Sequence, residues 1–395
     1  MKARSLGWFA MLCVVAGTPE AGAQLLSAPV SATLHSQILA EDRTVYVALP
    51  ESYERGAARY PVVYLTDADW NFAHTRTSAQ LLSRNRIIPE VIVVGVSNFP
   101  DRTRDLYATR ADFTLNGRTI RFPTSGNADQ FLQFLERELI PWVERSYRTS
   151  GLRIFAGHSA GGNFALHAMR TRPGLFQAVI AASPWLAWDE KKELNALITF
   201  VSSPELRARK LFLSHTNDIA DMKPNVDALV AALQNRRDSV VSWTTRGYSD
   251  ETHNTDVLKG FYDGLRAVFS GYDYPRDATT NRLVGSLEDM KTHFAEFGGR
   301  LGIAFAPPEE IVHELAAGYL ATDSVQLAVT TLRFNVSQHP ESPNAWRRLG
   351  IGLERAGQRT EALEAYRKGL AVAERQGLQN LEPFRQAVGR LAPPR

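Results

Sequence analysis

The segment Gly157-His158-Ser159-Ala160-Gly161 constrains this chain more than any other. It follows the apolar run Arg153-Ile154-Phe155-Ala156 and precedes Gly162 to Met169, which reads as a helix. A serine between a strand and a helix sits on a sharp, strained turn that exposes its hydroxyl and aims the next backbone N–H at the same point. The neighbours must be small because strand and helix nearly touch there. A chance G-x-S-x-G would more often fall in a loop, so the strand before and the helix after carry the argument.

The apolar runs around this turn predict a sheet. They are 32–38, 44–49, 61–65, 91–96, 153–156, 178–182, 210–214 and 240–244. The first two alternate and suit an antiparallel pair at one edge; the later ones are continuous and β-branched, as buried parallel strands are. Helical patterns at 129–145, 163–170 and 226–234 separate the later strands. Such alternation implies a mostly parallel sheet with helices on both faces.

The length suits two domains. A net charge of +3, with 44% apolar and 22% charged residues, carries no basic stripe of the kind that binds nucleic acid. Past the N-terminus no apolar stretch approaches the ~20 residues of a membrane span. Residues 1–23 read as a signal peptide: Lys2 and Arg4, then an apolar 6–16, then Ala21-Gly22-Ala23 before Gln24. The expected product is exported, periplasmic or secreted. Loss of Lys2, Arg4 and Glu20 lowers the net charge to +2 and removes Cys13, the chain's one cysteine. The mature chain then has no thiol chemistry and no disulfide.

Composition shifts after Tyr272-Asp273-Tyr274-Pro275. Residues 24–275 form the expected catalytic domain, 276–307 a helical linker and 308–395 an Ala-, Leu- and Glu-rich helical region. Trp346, Leu349, Gly350, Leu353, Ala362 and Tyr366 fill the W-x-x-L-G…A…aromatic positions of a tetratricopeptide (TPR) repeat. A copy 34 residues upstream runs through Val312, Leu315, Tyr319, Ala328 and Leu332. Two units fall short of the usual ~3, so they are expected to pack on the catalytic domain, either as a plain cap or as a docking site for a protein partner.

Serine needs a base to become a nucleophile, and the base needs an orienting acid. On a sheet of this kind they follow in the order Ser, Asp/Glu, His. Two loops supply them: His215 to Asp221 after the seventh strand, and Gly247 to His253 after the eighth. His253 is the candidate base. Asp218 is the leading acid, Asp221 the alternative, and Asp250 and Glu251 read as solvated charges. His158 reads as packing beside the turn, His167 lies on the helix behind it, and His74 and His215 read as loop residues near strand ends, where either could touch substrate. One oxyanion donor is the N–H of Ala160; the other belongs to the loop 66–72. No metal or cofactor is called for.

These residues resemble the esterase D group of α/β hydrolases, specifically its exported enterochelin-esterase-like branch with an appended repeat segment. Tyr60 to Asp69 is similar to the family's third-strand signature, with Ala68 where the family usually has Gly. Arg102-Thr103-Arg104-Asp105, Gly157 to Gly162, Ser183-Pro184 and Glu251-Thr252-His253 match further motifs. The family's usual Asn-Glu at Asn217-Asp218 supports Asp218 as the acid. The resemblance implies an α/β-hydrolase fold with an eight-stranded sheet and a small all-α TPR-like region, and it implies the Asp69 N–H as the second oxyanion donor.

The leading expectation is a carboxylic-ester hydrolase acting on a small-molecule ester through Ser159, His253 and Asp218. An acyltransferase with the same acyl-enzyme and a binding protein working through the repeats are the alternatives. Trp70, Phe72, Trp185 and Trp188 are expected at the site mouth and suit an aromatic acyl group such as a hydroxycinnamoyl or catecholate. Arg102 and Arg104 are candidates for an anionic substrate group or for a salt bridge to Asp105.

Overall fold

Two kinds of strand build one sheet in the computed structural model, which describes residues 29–115, 118–206, 210–236 and 241–393. Residues 1–23, expected above to be a signal peptide, and Cys13 with them, lie outside the described residues. β1 (Val30–Ser36) alternates in burial and pairs antiparallel with β2 (Glu41–Ala48), from Val30 opposite Val47 to Ser36 opposite Glu41. β3 (Tyr60–Leu65) and β4 (Ile92–Val96) are buried throughout. β5 (Phe113–Leu115) and β6 (Arg118–Ile120) form a separate hairpin. β7 (Thr149–His158), β8 (Ala178–Ala182), β9 (Lys210–Thr216) and β10 (Ser242–Tyr248) complete the sheet. Its order is β1-β2-β4-β3-β7-β8-β9-β10, antiparallel on both sides of β2 and parallel from β4 onward.

Successive strand residues feed opposite faces, as the period of two requires. Val62, Tyr64 and Phe155 enter one apolar layer; Val63, Leu65, Ile154 and Ala156 enter the other. α1 (Ala68–Arg84) covers the second face, and α2 (Arg102–Leu106) is a single short turn. α3 (Ala128–Phe134), a π turn at Leu135–Leu139 and α4 (Ile140–Ser146) run on as one rod over the first face. Pro141 lies in the first turn of α4 and has no N–H to give, and the wider π turn absorbs the break in the ladder. α5 (Ala160–Thr171), α6 (Trp188–Val201) and α7 (Met222–Gln234) pack on the first face, and α8 (Asp256–Val268) on the second. This is the α/β-hydrolase arrangement. The β3–β7 junction, where chain direction across the sheet reverses, opens the site crevice at the carboxyl ends of the strands.

α9 (Leu287–Leu301) opens on a Ser286–Asp289 capping box and sends Met290, Phe294 and Phe297 into the layer beneath α1 and α8. α10 (Glu309–Ala321) adds Ile311, Val312 and Leu315 to that layer, while its Ala316 joins a separate cluster with α11 (Val325–Gln338), α12 (Pro343–Arg355), α13 (Arg359–Arg375) and α14 (Glu382–Leu391). α10 and α12 begin 34 residues apart, as do α11 and α13. Gly350 is needed where it stands, because a Cβ there would come within 2.7 Å of the Tyr366 ring. Arg276 Nη2 donates to Glu314 Oε2 at 3.0 Å and ties the helical region to the chain leaving the sheet.

Candidate active site

Ser159 is the one residue between β7 and α5, and its φ of 59° and ψ of −118° lie in a region that side chains avoid, at a cost of roughly 1–3 kcal/mol. Three backbone bonds hold it there. Its N–H donates to Ala182 at 3.0 Å, and its carbonyl accepts from Trp185 at 2.9 Å and Asn163 at 3.0 Å. A Cβ on Gly157 would collide with the Gly161 carbonyl, and one on Gly162 would lie 3.0 Å from Pro184 Cα. Strand and helix meet too closely for side chains, which is the constraint the sequence motif encodes.

His253 follows β10 in the turn that leads to α8, and its Nε2 lies 2.9 Å from Ser159 Oγ. Burial pushes its pKa down to about 4; the nearby His158 ring adds to that, while Asp256 and Asp218 oppose it. The ring is therefore neutral at physiological pH and able to accept a proton. Asp218, after β9, is exposed and accepts the His253 backbone N–H on Oδ2 at 2.9 Å. Its own pKa is lowered by the Thr216 hydroxyl and by that N–H. His253 Nδ1 has no hydrogen-bond partner among the described residues. Asp221 stands at the N-terminus of α7, and Asp250 and Glu251 both pair with Lys259 at 2.6 Å.

Two residues at the centre escaped the sequence reading in this role. His158, at the variable position of the turn, points Nε2 at the His253 carbonyl, 2.7 Å away, with the two rings 4.7 Å apart. The same Nε2 is 3.2 Å from Asp256 Oδ1. Asp256 is fully buried, and its Oδ2 accepts from Ser183 Oγ at 2.6 Å and Ser214 Oγ at 3.4 Å. The only sequence signal for Asp256 was its place three residues after His253, at the start of a helix.

Opposite the turn, Asp67 adopts a left-handed φ of 54° and starts α1. Its carbonyl accepts from Trp70 and Asn71, which leaves the Ala68 and Asp69 N–H groups in the first turn without intrahelical acceptors. Ala160 holds the equivalent place at the start of α5. The two helix starts adjoin, since a Cβ on Gly161 would overlap Thr66 and lie 3.1 Å from Asp67 Oδ2. Two positive helix ends facing one crevice suit a developing negative charge. The Asp69 carboxylate itself is occupied by Ser97 Oγ at 2.6 Å.

Arg102 is committed to this scaffold: its Nε donates to Asp67 Oδ1 at 2.7 Å and its Nη2 to the His158 carbonyl at 3.2 Å. Burial raises the Asp67 pKa, and Arg102 opposes the rise. Arg104 binds Glu41 and Asp105, and Asp105 also receives Arg43 at 2.7 Å and Asn98 Nδ2 at 3.0 Å. Asn98 in turn accepts the Asp67 N–H at 3.0 Å. The R-x-R-D segment is thus a brace for the loop after β3.

The aromatic expectations divide. Trp185 meets His253 edge-on at 6.0 Å and Phe113 at 5.4 Å, so it walls the site. Trp70 is 69% exposed beside the Asp69 N–H. Phe72 and Trp188 are not at the mouth, and that expectation is corrected. Phe72 lies on the buried face of α1 against Tyr46, and Trp188 stacks on Tyr107 at 3.9 Å with its Nε1 bonded to the Thr109 carbonyl. Each ring buries more apolar area facing the core than facing solvent. Phe99, 77% exposed after β4, is a surface aromatic that the sequence did not single out. His74 and His215 are not loop residues: His74 lies in α1 and packs on Phe261 beside Asn71, and His215 lies in β9 and packs against Gly247. His167 bridges Asp129 and Glu193 on the far side of α5.

A serine on a strained turn within reach of an imidazole, between two helix N-termini on this sheet, defines the class of the α/β serine hydrolases. The Esterase family model matches residues 36–256, and the chain belongs to that family. It is 36% identical over 179 residues to the ferri-bacillibactin esterase BesA of Bacillus subtilis, covering 41% of this chain and 61% of that protein. It is 30% identical over 160 residues to the siderophore triacetylfusarinine C esterase of Aspergillus fumigatus, covering 40% and 54%. The matched regions thus span under two thirds of either curated relative. A solved IroE-like serine hydrolase from Shewanella oneidensis superposes with a TM-score of 0.67 at 26% identity, over 78% of this chain and 99% of that one.

Proposed function

We propose that the chain is an exported serine esterase that cleaves carboxylic esters through an acyl-enzyme. The observation that carries this reading is the 2.9 Å approach of His253 Nε2 to Ser159 Oγ on the strained turn. Ser159 Oγ attacks the ester carbonyl and its proton passes to Nε2. The carbonyl oxygen becomes an oxyanion that accepts from the Ala160 and Asp69 N–H groups. Collapse expels the alcohol, which takes the proton from His253. Water then repeats the sequence on the acyl-serine and releases the acid. Asp218 fixes the His253 backbone and supplies negative charge as the imidazolium forms. The basic, apolar and A-x-A pattern of residues 1–23 supports export.

The substrate we propose is a siderophore-type ester with a flat aromatic acyl group. One named relative is a ferri-bacillibactin esterase and the other a siderophore esterase, and Trp185 with Phe113 offers an aromatic wall next to the base. Hydrolysis of p-nitrophenyl butyrate and of a catecholate ester by the purified chain, beside Ser159→Ala, tests the reading. Ser159→Ala should lose about 10⁴-fold or more in kcat. A variant that keeps its rate, or a wild-type chain that Ser159-directed fluorophosphonate fails to label, would end the proposal. Faster turnover of short aliphatic esters than of the catecholate would end its aromatic part.

A further inference from the structure

Around the Ser159–His253 pair lies a cluster of three side chains, of which ester chemistry uses only His253. One nitrogen or oxygen from each of His158, His253 and Asp256 lies within 4.8 Å of the others. His158 Nε2 and Asp256 Oδ1 are already 3.2 Å apart. Asp256 has no exposed surface, and although Ser183 and Ser214 satisfy its Oδ2, its Oδ1 has no hydrogen-bond partner among the described residues. His253 Nδ1 is likewise buried without a partner. Unmet polar atoms inside a protein are costly, so two of them on residues of one cluster ask for something to join them.

We propose that His158 Nε2, His253 Nδ1 and Asp256 Oδ1 bind one Zn2+, and that the ion switches the esterase off. This rests on His253 being the general base. Two imidazoles and a carboxylate are a donor set for a borderline cation, whereas Ca2+ and Mg2+ prefer oxygen alone. Bonds of about 2.1 Å in a tetrahedron place ligand atoms roughly 3.4 Å apart. One edge of the cluster already has that length, and the others must close by at most about 1.4 Å. The His253 turn has room to give, because its neighbours Thr252, Asn254 and Thr255 are all exposed. Water fills the fourth position.

Inhibition follows from proton bookkeeping. Neutral imidazole carries one N–H. Zinc on Nδ1 moves that proton of His253 to Nε2, which then donates toward Ser159 Oγ and cannot accept from it. His158 likewise shifts its proton from Nε2 to Nδ1 and releases its bond to the His253 carbonyl. No proton is lost and no electron moves.

The test reads binding and rate separately. Zn2+ binding to full-length Ser159→Ala is measured by competition with a chromophoric chelator. One ion per chain is expected, and adding Asp256→Asn or His158→Gln should weaken it at least tenfold. In chains that keep Ser159, Zn2+ should inhibit ester hydrolysis and EDTA should restore it. The inhibition constant should rise at least tenfold in either variant, each measured against its own uninhibited rate. His158 lies at the crevice edge and Asp256 in the core, so either variant that melts cooperatively suffices. Zinc affinity that changes less than threefold in the folded variants overturns the site, and binding without inhibition overturns the switch. A chain with no esterase activity at all would refute the proposed function while the binding arm still decides the metal site.

Discussion

Gly161→Ala tests how the two helix starts cooperate. The added Cβ overlaps Thr66 Oγ1 and sits 3.1 Å from Asp67 Oδ2. Restoring an ordinary contact to the threonine oxygen demands about 1 Å of movement. α5 is anchored by Ser159 and its three backbone bonds, so the loop carrying Thr66, Asp67 and the Asp69 N–H must yield. A donor displaced by about 1 Å costs on the order of 10²-fold in rate, or about 2.7 kcal/mol of transition-state stabilisation. The loss should fall on kcat and leave KM nearly unchanged, because the oxyanion exists only in the transition state. Thr66 Oγ1 is buried without a partner among the described residues, so Thr66→Ala by itself should cost little. Combined with Gly161→Ala it removes the worst overlap, since the threonine's remaining near atom, Cβ, lies at an ordinary 3.6 Å. The double variant should regain at least about tenfold, short of wild type because Asp67 Oδ2 remains close. Steady-state kinetics on p-nitrophenyl butyrate, with circular dichroism as the fold control, reads all four proteins. A single variant within threefold of wild type, or a double variant no better than the single, would refute the reasoning.

Three further outcomes are expected. Because burial holds the His253 pKa at about 4, its base form persists down to that pH. The acid limb of kcat/KM should therefore fall with an apparent pKa about 4, and a limb at the ordinary histidine value near 6.5 would contradict the burial argument. Burial lowers the pKa of His167, but its bonds to Asp129 at 2.9 Å and Glu193 at 3.1 Å outweigh that and leave it raised. A raised folded value contributes stability that is complete below the unfolded pKa and fades as pH rises through the folded one. His167→Gln should then cost about 1–3 kcal/mol in urea unfolding at pH 5.5 and less at pH 9, and an equal cost at both would exclude the ion pairs as its source. Gly350→Ala gains up to about 1 kcal/mol of helix propensity but meets the Tyr366 ring, an overpacking cost of about 1–3 kcal/mol. Net destabilisation with an unchanged esterase rate at 25 °C is expected, and a higher melting temperature would refute the close contact.

Local pattern determined much of this protein. Alternating apolar residues made β1 and β2 an edge pair, and continuous β-branched runs made β3, β4 and β8 buried strands, because a side-chain period is a property of the segment itself. Small residues at Gly157, Gly161 and Gly162 announced the turn at Ser159, because steric exclusion acts between neighbours in sequence. The order of motifs along the chain pointed to the loops holding Asp218 and His253, because a sheet's connectivity limits which loops share its carboxyl edge.

Tertiary structure decided what depends on distances between segments far apart in the chain. Arg102 could serve a substrate or a brace, and only the position of Asp67 settled its partner. Phe72 and Trp188 looked like rim aromatics until packing turned them inward. His158 meets His253, 95 residues on, and Asp256 meets Ser183, 73 residues back. Neither pairing leaves a periodic trace in the sequence, because each arises from where β7, β8 and α8 end relative to one another. The sequence alone determines which faces must be buried; which polar atoms then meet is fixed only when those faces close.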